Sequence, residues 1–134
     1  MFVSELMTRE PVTIAPDETL LAAAKKMRVE GVRRLPVVEN GALVGIISEY
    51  DLQPHLNQLN WVSVREVMTP DPVVVEPSTT VDRAARLLSD HQVGALPVVH
   101  CGRLVGIIVA HDLLMREPRP LWKWDPAAKK AAND

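Results

Sequence analysis

The sequence predicts an α+β fold built from two copies of one β-α-β-β-α unit. Three observations predict it. The stretch VSELMTREPVTIAPDETLLAAAKKMRVEGVRRLPVVENGALVGIISEYDL aligns without a gap to VREVMTPDPVVVEPSTTVDRAARLLSDHQVGALPVVHCGRLVGIIVAHDL, with Leu35 falling on Leu96 and close to half the pairs identical. Within each copy, short β-rich runs are followed by apolar residues at helical spacing and then by β-rich runs again. A copy of roughly 50 residues is marginal as a domain of its own, so the two are expected to share a core as one compact module.

Each element follows from its residues. PVTIAP and PVVVEP are short β-rich runs closed by a proline, which suits a brief edge strand. Asp17 and Ser78, immediately after that proline, are the expected helix N-caps. Leu20, Ala23, Ala24 and Met27 then recur at helical spacing, as do Val81, Ala84, Ala85 and Leu88. The paired alanines allow each helix to lie close against a sheet. LPVVENGALVGII and LPVVHCGRLVGII each read as two strands joined at a glycine-containing turn. A short helix is expected from SEYDL and from VAHDL. The repeats therefore span 3–52 and 64–115, separated by a linker over 53–63. A tail over 116–134 follows, in which Trp122 and Trp124 are expected to dock on the body or on a second subunit and AAKKAAND to fray.

Composition narrows the function classes. The 134 residues are 47% apolar and 24% charged, the mixture of a folded globular chain. A net charge of −2 argues against a general nucleic-acid binder, though not against a local basic pocket. The longest apolar run, LVGIIVA, is far short of the roughly 20 residues that span a bilayer, and the N-terminus lacks a signal-peptide pattern. A cytoplasmic protein is expected, and the single cysteine, Cys101, fits a reducing compartment. No two of the four histidines share the i, i+4 spacing of a metal-ligand pair. His100 and Cys101 are neighbours on a turn, a poor arrangement for a base and its nucleophile. Phosphate-loop and nucleophile-elbow motifs are absent as well, so no catalytic residue is assigned and an enzyme is not expected.

Two copies of MT-x-x-P-V-x-x-x-x-P, the alanine-bearing helix, LPVV, G-x-LVGII and a closing D-L resemble a tandem pair of cystathionine β-synthase (CBS) domains over residues 3 to about 115. The resemblance implies two repeats packed by their sheets with pseudo-twofold symmetry, commonly as a homodimer. It also implies an adenosyl ligand (AMP, ADP, ATP or S-adenosylmethionine) held between the repeats, and regulation of an enzyme, channel or transporter. The chain carries no effector domain of its own and reads as a stand-alone module or a piece of a longer protein.

In the family an S/T-x-x-D motif at the start of the last helix holds the sugar-phosphate end, which here is Ser48 and Asp51. The same two residues also read as a helix capping box. The second copy has Val109 and Asp112, and a valine neither donates to phosphate nor caps. Before LPVV the first copy has Arg33 and Arg34 where the second has Gly94 and Ala95. Guanidinium groups suit phosphate, although the arginines also fit a solvated edge or salt bridges to acids such as Glu30 or Glu39. By the resemblance, the better cleft joins Arg33, Arg34, Ser48 and Asp51 to a base pocket of Thr69, Val74, Val75, Val93, Gly94, Ala95 and Pro97. The opposite cleft, around Asp112, is expected to be weaker, empty or filled by a different ligand. The rival to this sensor is a ligand-free dimerisation or interaction scaffold.

Overall fold

The computed structural model describes residues 1–116, with side chains through Leu113. Its most regular parts are the two hairpins. β2 (Arg34–Glu39) pairs antiparallel with β3 (Ala42–Ser48), and β5 (Ala95–His100) pairs in the same way with β6 (Arg103–Val109). Each is closed by two residues of positive φ, Asn40 and Gly41 in one and Cys101 and Gly102 in the other. That turn geometry matches the twist of the flanking strands.

Each PV run that precedes a helix shrinks to a single bridge. Ile14 lies parallel to Val37, donating to Pro36 O at 3.0 Å and accepting from Val38 N at 2.9 Å. Val75 does the same beside Val98. Prolines at 11 and 16, and at 72 and 77, supply no N–H and limit further pairing.

Helices α1 (Leu20–Glu30), α2 (Glu49–Leu52), α3 (Val64–Val67), α4 (Val81–His91) and α5 (Ala110–Arg116) complete the order, with 3-10 turns at Val3–Glu5 and Gln53–Gln58. The caps of the two long helices differ from expectation. Thr19 accepts from Ala22 N and Thr80 from Arg83 N, each at 3.1 Å. Asp17 and Ser78 lie earlier, where the chain leaving the proline first makes a tight turn before helical geometry begins. Leu20, Ala23 and Met27 are buried on α1, and Val81, Ala84 and Leu88 on α4, as their spacing predicts.

The two halves are interleaved. Short strand β1 (Thr8–Arg9) belongs by sequence to the first repeat but pairs with β6, placing Thr8 beside Ile107. Its counterpart β4 (Thr69–Pro70) crosses the other way to β3, placing Thr69 beside Ile46. Val3 donates to Thr79 O and packs in the second core, while the equivalent Val64 donates to Glu18 O and packs in the first, both bonds being 2.8 Å. The result is the pseudo-twofold α+β pair of β-α-β-β-α repeats. Its two cores centre on Leu35 and Ile47 in one half and on Leu96 and Ile108 in the other, all fully buried. Burying a side chain of this kind is worth about 1.5–3 kcal/mol.

The crossing strands also account for the repeated glycines. A Cβ at Gly45 would stand 2.9 Å from Thr69 O, and one at Gly106 would stand 3.0 Å from Thr8 O. Only a residue without a side chain admits the neighbouring backbone so closely. Among the described residues, no helix is long and apolar enough to cross a membrane. The expectations for Trp122 and Trp124 lie outside the described residues.

Candidate ligand-binding clefts

The clefts arise where strand starts meet helix starts. In the first repeat the β-register sets Arg34 opposite Ser48, and Glu49 N donates to Arg33 O at 2.8 Å. In the second, Ala95 lies opposite Val109 and Ala110 N donates to Gly94 O at 2.9 Å. Each cleft corner is thus pinned by backbone bonds that do not depend on the side chains. The chemistry of the corners then differs with those side chains.

Ser48 and Asp51 form a complete capping box. Ser48 Oγ accepts from Asp51 N at 3.2 Å, and Asp51 Oδ2 accepts from Ser48 N at 2.8 Å. At the second corner half the box survives, with Asp112 Oδ2 accepting from Val109 N at 3.3 Å. Both acids therefore hold a helix start closed, and each keeps a second carboxylate oxygen with no hydrogen bond to another described residue. The Ser48 hydroxyl retains its proton for donation while its oxygen accepts.

The arginines behave differently from each other. Arg33 is exposed and makes a loose ion pair with Glu49, Nε to Oε2 at 3.8 Å. Of the acids considered from the sequence, Glu39 pairs instead with Arg65, which also reaches Asp17. Arg34 forms no ion pair among the described residues. Its guanidinium lies against Gly94 so closely that an added Cβ would stand 2.9 Å from its Cζ.

Two concavities share these arginines. The larger, about 800 Å³, is bordered by Arg33, Arg34, Gly94, Val109, His111 and Asp112, with Glu10 and Glu30 also on its wall. The smaller, about 270 Å³, is formed by Arg33, Arg34, Ser48, Glu49, Tyr50 and Gln53. Small-molecule sites ordinarily occupy about 300–1,000 Å³. The larger cleft falls within that range, and it lies on the Asp112 side.

The sequence-predicted site is only partly assembled. Arg33, Arg34 and Ser48 come together in the smaller hollow, with Asp51 tied to Ser48 behind it. Gly94 meets the arginines, but in the larger cleft. Thr69 and Val93 are exposed. Ala95, Pro97 and Val75 are buried, the first two because β5 is covered along its first four residues and the last because it bridges to Val98. Val74 borders a separate concavity of about 380 Å³ that also includes Cys101. Thr69, Val74, Val75, Val93, Ala95 and Pro97 therefore border neither arginine-lined cleft. Glu10, Tyr50 and Gln53 have no distinguishing signal in the sequence, and Glu30 stands out there only as an ion-pair partner for the arginines. They reach the clefts through chain crossings and helix ends that no local pattern announces. Among the described residues, no group of three or more His, Cys, Asp and Glu is gathered to hold a metal ion.

Comparison with known proteins agrees with the fold. The family model described as CBS domain matches residues 3–56 and again 64–118. The inosine-5'-monophosphate dehydrogenase of Korarchaeum cryptofilum is 32% identical over 113 residues, which are 84% of this chain. The chain spans only 23% of that enzyme's length. CBSX2, a CBS-pair protein of Arabidopsis thaliana, solved in complex with AMP, superposes with a TM-score of 0.74 at 32% identity and covers 84% of this chain and 93% of its own. The CBS domain pair of the protein MJ0100, solved with 5′-methylthioadenosine and S-adenosyl-L-methionine, gives a TM-score of 0.79 at 29% identity, with 85% and 93% covered.

Proposed function

The chain belongs to the CBS-domain family, and from that membership and the cleft geometry we infer that it is a regulatory ligand-sensing module. It binds an adenine nucleotide (AMP, ADP or ATP) or S-adenosylmethionine between its repeats and modulates a partner protein. The observation that carries this reading is the meeting of an arginine pair with a helix-start carboxylate at the junction of the repeats, beside a cavity of about 800 Å³.

Each group has work suited to its chemistry. Arg33 and Arg34 pair with phosphate, for which a planar, permanently charged fork is the fitting donor. Ser48 donates its hydroxyl proton to a phosphate oxygen. Asp51, and Asp112 on the other side, accept from ribose hydroxyls through the carboxylate oxygen that the cap bonds leave over. The base lies along the apolar part of the larger cleft's wall, formed by Pro11, Val12 and Val32. No step of bond making or breaking is assigned to any residue.

Regulation requires that ligand bind one state of the module better than another. The larger cleft spans the two repeats, with Arg33 and Arg34 facing Gly94 and Asp112, so a ligand that draws the repeats together there alters the outer surface offered to a second copy or to an enzyme or transporter. The dehydrogenase relative, in which the matching segment is a minor part of the chain, makes an enzyme a reasonable regulated partner.

Thermal unfolding in the presence of AMP, ADP, ATP and S-adenosylmethionine tests this reading. A ligand at 100 times its dissociation constant adds about 2.7 kcal/mol to stability. The expected outcome is a clear rise in Tm with at least one of the four. Constancy with all of them leaves the ligand-free dimerisation scaffold as the better account.

A further inference from the structure

The second repeat has no cation of its own at the position where the first carries two. Gly94 and Ala95 stand where Arg33 and Arg34 stand in the aligned copy. The Asp112 cleft nevertheless has a guanidinium on its wall, because Arg34 crosses from β2 of the first repeat onto Gly94 of the second. Gly94 makes the crossing possible, since a side chain there would occupy the space of the guanidinium. The same arginine also borders the Ser48 hollow.

We propose that Arg34 is a phosphate ligand shared by the two clefts, so that one chain holds a single phosphorylated adenosyl ligand tightly, in the Asp112 cleft, and a second only weakly. This rests on the nucleotide-sensing reading above. A guanidinium engaged with one phosphate has both its fork and its charge taken up. The Ser48 hollow then retains Arg33, which already faces Glu49. A second phosphorylated ligand would enter a place stripped of its stronger cation and close to a newly bound anion, and like charges at short range repel. The Asp112 cleft fills first because it is the roomier one and because Arg34 already lies along it. Without Arg34 that cleft is dominated by the acids Glu10, Glu30 and Asp112, beside Arg33 and His111, and would disfavour an anion.

The test follows each cleft separately in one titration. Backbone amide signals of 109–112 report one cleft and those of 48–51 the other, in isotope-labelled protein titrated with AMP. In the wild type the 109–112 signals are expected to saturate at AMP concentrations at least about tenfold lower than the 48–51 signals, as fits one charge-assisted hydrogen-bonding group more or less. Arg34→Ala weakens both sets by about tenfold or more, while signals elsewhere show that the fold persists. Gly94→Ala, whose methyl blocks the crossing at a position with ordinary negative-side backbone angles, weakens the 109–112 set alone. 5′-Methylthioadenosine, which lacks phosphate, loses nothing on Arg34→Ala.

Parallel saturation of the two sets in the wild type overturns the inference. So does Arg34→Ala acting on one cleft only, a Gly94→Ala response that equals wild type, or an equal loss of 5′-methylthioadenosine binding. Absence of any shift in either set with millimolar AMP, ADP, ATP or S-adenosylmethionine overturns the ligand-sensing reading itself, and the sharing of Arg34 with it.

Discussion

Asp51 and Asp112 have the same local task and different company. Each accepts from the backbone N–H three residues before it and so closes the first turn of a helix. At 48 the partner is a serine that returns the favour, while at 109 it is a valine that cannot. The retention of the acid in both copies is thus explained by the fold before any ligand is considered. Ser48→Val copies the second repeat into the first. It is expected to lower stability by about 1 kcal/mol, the usual cost of losing an N-cap side chain, measurable as a lower denaturation midpoint at unchanged slope. AMP response of the 109–112 signals should stay as in the wild type, because Ser48 borders only the other hollow. Arg34 shows the converse: its neighbours in sequence suggest a cation for the Ser48 corner, but its side chain extends across the repeat boundary.

Among the elements, the two hairpins show how closely equal folds tolerate unequal residues. Both turns require positive φ at two successive positions, and Asn40-Gly41 is well suited to that. Cys101 occupies the same left-handed conformation at φ 51° without the local hydrogen bonding an asparagine side chain provides. A non-glycine residue there costs about 1–2 kcal/mol, less for asparagine. Cys101→Asn should therefore raise Tm by a few degrees, about 3 °C, in a calorimetric scan. A fall in Tm would show that the thiol packs against something the turn needs. The helix starts carry a weaker local signal, since Thr19 and Thr80 make the caps rather than Asp17 and Ser78 next to the prolines. A cap is recognised only once the turn before it is known, and that turn depends on contacts with α3 and with the N-terminal residues.

At the scale of the whole molecule, the defining feature is the exchange of N-terminal segments. Val3 and β1 serve the second half, Val64 and β4 the first. Neither sequence repeat is a packing unit without the other, yet each of the two cores can open on its own. Val3→Ala is expected to cost about 2 kcal/mol and to speed hydrogen exchange in β5 and β6 before it affects β2 and β3. Faster exchange confined to β2 and β3 would contradict the exchange of segments. The duplication, the α+β class, the hairpins and their turns, the buried faces of α1 and α4, and the presence of both arginines and both acids are legible in the residues alone. These follow from periodicity, turn chemistry and residue type, which are local. Packing in three dimensions was needed to show that β1 and β4 cross over, that Gly45 and Gly106 make room for them, and that Val75 and Pro97 lie inside. It also decided that Arg34 reaches the cleft of the opposite repeat. Those outcomes depend on which surfaces meet across the pseudo-twofold axis, and two nearly identical repeats contain no local pattern that distinguishes packing against oneself from packing against one's copy.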